Sequence, residues 1–330
     1  MNIDTLREAN VLITGAGGFF GQHLYDVLVE EYGCRHVLGI QGVGRERPVL
    51  FCQYDLTDPS QVEALFAEYY IDYVFHLAGY NGGIQFNLDF PADIFFRNTL
   101  MGLNLLDACR RHGVKKVVSV VASCAYGDRR GTMTEKDFLR GRPNPSVACH
   151  GYAKRNLQLA SSFYRSQYGL MAVCACPTTL YGPGDSFHPT RTKVMGGMIK
   201  RFVDAVDEGK QEVTCWGTGA ALREFIFVRD AARLLVETLL HYEDSDQPLN
   251  LGTGQEVSIK QLAETVARCV EFRGTINWDT SKPDGQLRKR LNLTRMKKTL
   301  PAINFTPLEQ GIRQTAKCYR AMKREGKIAV

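Results

Sequence analysis

Several things are missing from this chain of 330 residues. There is no uninterrupted apolar run of the ~18 residues a membrane-crossing helix needs, and no cationic–apolar leader ahead of the first strand pattern. The cysteines, ten in all, fall at scattered positions (Cys34, Cys52, Cys109, Cys124, Cys149, Cys174, Cys176, Cys215, Cys269 and Cys318) without the paired spacing of a zinc site. Most lie in apolar stretches, where a thiol behaves as a small hydrophobe. No metal is expected, and a reducing cytoplasm is the expected setting. Internal repeats and low-complexity segments are lacking too. The net charge of +6 is not gathered into a stripe of basic and aromatic residues, which argues against nucleic-acid binding. What remains is an ordinary globular composition, 44% hydrophobic and 23% charged.

The most informative positive feature comes first in the chain. Val11-Leu12-Ile13-Thr14 reads as a buried strand, Gly15-Ala16-Gly17-Gly18-Phe19-Phe20-Gly21 turns it, and Gln22 to Glu30 carries a helical apolar face at Leu24, Val27 and Leu28. A dinucleotide-binding βαβ unit needs this order. Gly15 makes the turn, Gly18 lets the backbone approach a pyrophosphate, and Gly21 lets helix and strand pack closely. The helix N-terminus then offers free N–H groups to the phosphates.

Strand-like and helix-like patterns alternate beyond it. Strands are predicted at Val11–Thr14, His36–Ile40, Leu50–Gln53, Tyr73–Leu77, Lys116–Val121 and Ala172–Ala175, and helices at Ser60–Tyr70, Asn98–His112 and Tyr152–Tyr168. This predicts an α/β fold, a Rossmann-type doubly wound parallel sheet, with a smaller C-terminal substrate-binding lobe. The expected boundaries are 1–181 for the dinucleotide domain and 182–330 for the lobe, whose elements include a strand at Glu212–Trp216 and a helix at Ser258–Val270. Segments near 223–252 are expected to return to the first domain. Ligands of such sheets sit beyond the carboxyl ends of the strands.

That rule selects the cofactor residues. Gln41-Gly42-Val43-Gly44-Arg45 follows the second strand without the acidic residue that would bind the ribose hydroxyls of NAD; Arg45 or Arg47 suits a 2′-phosphate, favouring NADP(H) while leaving NAD(H) open. Asp55-Leu56 is placed to hold the adenine amino group. Leu77-Ala78-Gly79 is a strand end of mostly small residues on which a cofactor can lie, Pro177 lies just after the strand Ala172–Ala175, and Asn98 stands where a helix is expected to begin, as an N-cap or a cofactor contact.

Thr14 to Gly21, Asp55-Leu56-Thr57-Asp58 and His76-Leu77-Ala78 resemble the extended short-chain dehydrogenase/reductase superfamily. Gly82-Gly83-Ile84, Ser123-Cys124-Ala125-Tyr126, Pro177 to Pro183, Asp185 to Pro189, Trp216-Gly217-Thr218-Gly219, Arg223-Glu224-Phe225 and Ser281-Lys282-Pro283-Asp284-Gly285 resemble more closely its GDP-L-fucose synthase group. The resemblance implies reduction of a 4-keto nucleotide-diphosphate sugar, GDP-linked, with NADPH, often after epimerisation at C3 and C5. By matching position it nominates Arg201, Trp216, Arg223 and Lys282 for the nucleotide sugar. A homodimer is the expected assembly.

The active site departs from that pattern. The superfamily places a Tyr four residues before a Lys on one helix. Lys154 is present, but the earlier position is His150; the nearby Tyr152 faces elsewhere and reads as packing or capping near a helix start. The Ser or Thr of the strand-end motif is Ala122 here, and Ser123 is expected on the opposite face of an extended segment. Cys124 matches the epimerising Cys, whereas its His partner is replaced by Lys193. A positioned general acid contributes roughly 10²–10⁴ in rate, about 3–5 kcal/mol, so something must stand in for the Tyr. His150 is the candidate acid/base, kept toward its neutral form by Lys154, which anchors the ribose. Cys124 would lie near C3 and C5, and Lys193 would donate to a carbonyl or bind phosphate. Two other readings stay open: a tightly held cofactor used for a transient oxidation without net redox change, and a non-catalytic binding or scaffold role.

Overall fold

The computed structural model describes residues 1–42, 52–127, 131–188, 192–282, 284 and 287–328. Its centre is a seven-stranded sheet. In spatial order the strands are Leu249–Leu251, Met171–Pro177, Lys116–Val120, Tyr73–His76, Asn10–Thr14, His36–Gln41 and Cys52–Gln53, every neighbouring pair parallel. The strand order reverses between Asn10–Thr14 and Tyr73–His76, which opens a crevice at their carboxyl ends. Strands such as Val11–Ile13 and Val117–Val118 are buried throughout, the expected outcome for apolar runs covered on both faces.

Helices Pro91–Arg111 and Ala148–Tyr168 pack against each other in one layer, and Phe19–Asp26 against Val228–His241 in another. The predicted α/β class is borne out, with shifted boundaries. The helix expected to begin at Asn98 begins at Pro91, where proline's fixed φ suits the first turn. Asn98 is therefore buried mid-helix and caps nothing. The helix expected from Tyr152 starts at Ala148 and ends at Gly169, whose left-handed φ of 74° closes it.

The second lobe has its own core. Helices Val194–Asp207, Ile259–Val270 and Leu308–Arg324 converge through Ile199, Phe202, Leu262, Val266, Ile312 and Tyr319. Ser258 caps the middle helix, accepting from the Gln261 N–H at 3.0 Å while Gln261 accepts from the Ser258 N–H at 2.9 Å. Two strands, Glu212–Trp216 and Thr275–Asp279, form one small sheet; Glu256–Ser258, Leu222–Phe227 and Thr179–Tyr181 form another. Val228–His241 packs in the core of the first sheet and Leu249–Leu251 pairs in it, and Leu222–Phe227 belongs to the three-stranded sheet.

The glycine turn is a tight joint. A Cβ on Gly21 would overlap the Gly15 carbonyl oxygen and come within 2.7 Å of Ala16 Cα, so backbone, not a movable side chain, would have to shift. Gly21→Val is expected to destabilise the fold by about 1–3 kcal/mol. A parent-like midpoint in urea unfolding would contradict this packing.

Candidate functional site

An open cleft of about 880 Å³ runs from the glycine turn across the strand ends to the second lobe. Gly15 adopts φ of 72°, and a Cβ there would lie 2.8 Å from the Ala78 nitrogen, so two strand-end backbones meet side by side as the floor. Gly18 donates to the Gly15 carbonyl at 2.9 Å and opens the helix Phe19–Asp26 without a side-chain cap. Its N–H groups thus stay available to an anion. This backbone cradle fits a dinucleotide pyrophosphate.

The remaining cofactor candidates divide. Phe19, Asp55, Leu77, Ala78 and Gly79 border the cleft. Phe20 packs on the core, Leu56 and Pro177 are buried, and Gly21 serves the helix–strand contact. Asn98 holds the loop from behind: its Oδ1 accepts from the Tyr80 N–H at 3.0 Å and its Nδ2 donates to the Tyr80 carbonyl at 2.7 Å. Arg45 lies outside the described residues. Gln41, which ends the second strand and borders the cleft, is a buried neutral amide where an NAD-binding acid would stand.

Thr14 and His76 join the two central strand ends, Oγ1 to Nδ1 at 2.8 Å, while the Ala78 N–H donates to the same hydroxyl at 3.2 Å. Burial, helped by Lys154, pushes His76 down to about 3. In the sequence both residues stand out only as members of longer motifs, Thr14 at the start of the glycine run and His76 in His76-Leu77-Ala78.

The chemical groups meet where the helix Ala148–Tyr168 passes the end of strand Lys116–Val120. Lys154 is buried and donates to the Val120 carbonyl at 2.9 Å. Desolvation pulls its ammonium down to about 8. His150, one turn earlier and only 8% exposed, is pushed to about 3 by burial, then by Lys154, Lys193 and Lys289. It is a neutral ring at physiological pH. Its Nδ1 lies 3.4 Å from Cys124 Sγ and 3.3 Å from Asn81 Nδ2. Burial pushes the Cys124 thiol up, opposed by Lys289 and Lys154. Ala122 offers no hydroxyl. Ser123 lies in a short 3-10 turn, Ser123–Ala125, where an extended segment was expected, so the opposite-face argument does not apply to it. Tyr152 sits in the second turn, 39% exposed, against Arg155; it neither caps nor packs inside.

From the second lobe Lys193, at the N-terminus of Val194–Asp207, and Asp185 border the same cleft. Asp185 is buried with its carboxyl pushed up by desolvation, against the pull of Lys193. The other substrate candidates stand apart from this cleft. Arg201 donates to the Thr214 carbonyl at 2.9 Å, Arg223 to the Leu222 carbonyl at 2.8 Å, Trp216 is 65% exposed, and Lys282 is exposed. Asp284 ties two of the sequence motifs together, taking the Thr218 N–H and hydroxyl at 2.7 Å each. Sequence reasoning missed Asn81, Asn87, Lys289 and the cleft-facing role of Asp185. Asn81 does fall in the strand-end loop 78–84 that the carboxyl-end rule singles out, whereas Lys289 carries no local signal.

A family model described as the NAD dependent epimerase/dehydratase family matches residues 11–252. Probable GDP-L-fucose synthase 1 of Oryza sativa subsp. japonica is 38% identical over 271 residues, covering 81% of this chain and 81% of its own. GDP-L-fucose synthase of Escherichia coli (strain K12) is 34% identical over 273 residues, 80% and 84% of the two chains. A solved structure, a GDP-L-fucose synthetase from Naegleria fowleri bound to NADP, superimposes with a TM-score of 0.84 at 28% identity, over 96% of each chain. With its glycine cradle, parallel sheet and two-lobed cleft, the chain belongs to the NAD dependent epimerase/dehydratase family.

Proposed function

We propose that this protein is an NADP(H)-dependent reductase of a GDP-linked 4-keto sugar in which His150 stands where related enzymes use Tyr. The observation that carries this reading is the burial of Lys154 and His150 one helical turn apart, beside a cradle shaped for a dinucleotide. The names of the relatives, GDP-L-fucose synthases, and the NADP-bound neighbour support the substrate class and the cofactor.

Gly15, Gly18, Phe19, Asp55, Ala78, Gly79 and Lys154 would hold the cofactor, with Arg45 toward the 2′-phosphate. When bound, it supplies a hydride to the carbonyl carbon. Lys154 sets a positive field near the reacting oxygen, and His150 offers a hydrogen bond to that oxygen as negative charge develops. Lys193 enters from the opposite lobe as a cation for the carbonyl or a phosphate. Arg201, Trp216, Arg223 and Lys282, on the second lobe outside the cleft, are the residues the resemblance nominates for the nucleotide diphosphate. We assign the protein to the cytoplasm. No helix among the described residues is long and apolar enough to cross a membrane. The assembly is a homodimer through the exposed apolar flank of helices Pro91–Arg111 and Ala148–Tyr168, where Phe96 and Phe163 are 61% and 63% exposed.

Three outcomes follow. His150→Phe lowers kcat for the keto sugar by about 10²–10⁴-fold, with NADPH affinity near the parent value; activity within a few-fold of the parent would remove His150 from the reaction and promote Tyr152. By calorimetry NADPH binds more tightly than NADH by roughly 10–100-fold, the worth of one charge-assisted contact of about 1.5–3 kcal/mol; equal affinities would refute the cofactor assignment. As pH rises through about 8 the Lys154 ammonium loses its proton, so kcat/KM falls on the alkaline side, while His150, at about 3, stays neutral and leaves the profile flat between pH 5 and 7. An acid limb near pH 6.5 would mean that His150 titrates as an exposed imidazole.

A further inference from the structure

The side chains behind His150 decide which of its ring nitrogens carries the proton. Asn87 is 3% exposed, and its Nδ2 lies 2.9 Å from Asn81 Oδ1, 3.0 Å from the Gly83 carbonyl and 3.3 Å from the Gly82 carbonyl. Three oxygens surround one atom, which only an amide nitrogen can satisfy. The other end of the same amide, Oδ1, receives the Cys149 thiol at 3.4 Å. The orientation of Asn87 is therefore fixed, and it fixes Asn81 in turn. Asn81 must present its oxygen to Asn87 and its NH2 to His150.

An amide nitrogen donates and never accepts. At 3.3 Å from His150 Nδ1, Asn81 Nδ2 requires a lone pair on that atom. With that lone pair on Nδ1, the Cys124 thiol, 3.4 Å from the same nitrogen, can donate to it as well. In a neutral ring the proton then sits on Nε2, which hydrogen-bonds to no protein group among the described residues. We propose that Asn81, clamped by Asn87, is a positioning residue that holds His150 as the Nε2–H tautomer and so makes it a hydrogen-bond donor to the substrate oxygen.

The inference rests on the reductase reading for its functional consequence, though not for its geometry. A tyrosine hydroxyl can rotate to donate or accept, but a neutral imidazole has one face of each kind. Set the wrong way, Nδ1–H and bare Nε2, the ring would point a lone pair at a carbonyl oxygen and repel it. With the donor face outward, it can act as a neutral electrophile, a role imidazole fills in other enzymes. The loop that carries Asn81 is itself anchored by the buried Asn98 at Tyr80, so two asparagines hold this strand end.

The decisive variant is Asn81→Asp. Asn87 still donates to one carboxylate oxygen, and the other now accepts from His150. The ring should flip to Nδ1–H and its pKa should rise, against the opposing pull of Lys154 on its own helix, Lys193 from the second lobe and Lys289, with the Cys124 thiol also facing it. Nitrogen-15 NMR of the full chain labelled at histidine, with the His150 signals identified by their loss in His150→Phe, reads both changes without substrate or cofactor. The parent should show an unprotonated Nδ1 and a protonated Nε2. Asn81→Asp should exchange them, and Asn81→Leu should leave a mixture. Because Asn81 is exposed, unfolding midpoints should stay near the parent value. In the keto-sugar assay Asn81→Asp should lower kcat by roughly 10–100-fold with KM little changed, the scale of a misdirected group. A parent Nδ1–H tautomer, or spectra indifferent to residue 81, would overturn the proposal. So would a clean exchange of tautomers with kcat unchanged, which leaves the reductase reading standing. Absence of keto-sugar turnover in the parent would strike that reading alone, since the spectra decide the tautomer independently.

Discussion

A lysine ammonium taken out of water at the end of a parallel strand sets the charge of the side chains around it. Lys154 can be buried because the Val120 carbonyl, left over where the strand stops pairing, accepts from it at 2.9 Å. Burial costs the charge enough to bring its pKa to about 8, and the same field helps to keep His150 and His76 neutral. In the proposed reaction a cation near its titration point and a neutral imidazole one turn away would divide the work of the tyrosine–lysine pair that the resemblance implies. Charge stabilisation would stay with the lysine, and hydrogen bonding to the reacting oxygen would pass to the imidazole ring.

The fold was legible because its determinants are local and repeated. Val11–Thr14 followed by spaced glycines, then an apolar helical face, admits few structures, and alternating strand and helix patterns imply a parallel sheet. Boundaries were less legible where one residue type has two uses. Asn98 looks like an N-cap because Asn commonly caps helices; here Pro91 starts the helix and the buried amide holds a loop 18 residues earlier in the chain. Ser123 belongs to a tight turn, which alternation along a strand does not describe.

The site was legible to the depth of its helix spacing and no further. His150 and Lys154 share a face because they are four residues apart. Asn81 reaches His150 across 69 positions of sequence, and Lys289 joins the field from beyond both lobes' centres in the chain. Contacts of that kind follow from topology, which a single sequence specifies only through the whole fold. The candidates for the nucleotide illustrate the same limit: Arg201 and Arg223 match a motif, yet their guanidinium groups are engaged with backbone carbonyls away from the cleft.

The most direct measurement of the central claim is the fate of label from NADPH carrying deuterium at the transferable C4 position, incubated with a GDP-linked 4-keto sugar. If the cleft reduces the ketone, mass spectrometry and proton NMR will find one deuterium on the sugar's C4, with NADP⁺ formed in equal amount. Deuterium retained on the cofactor while the sugar changes configuration, or no change in either molecule, would contradict the account.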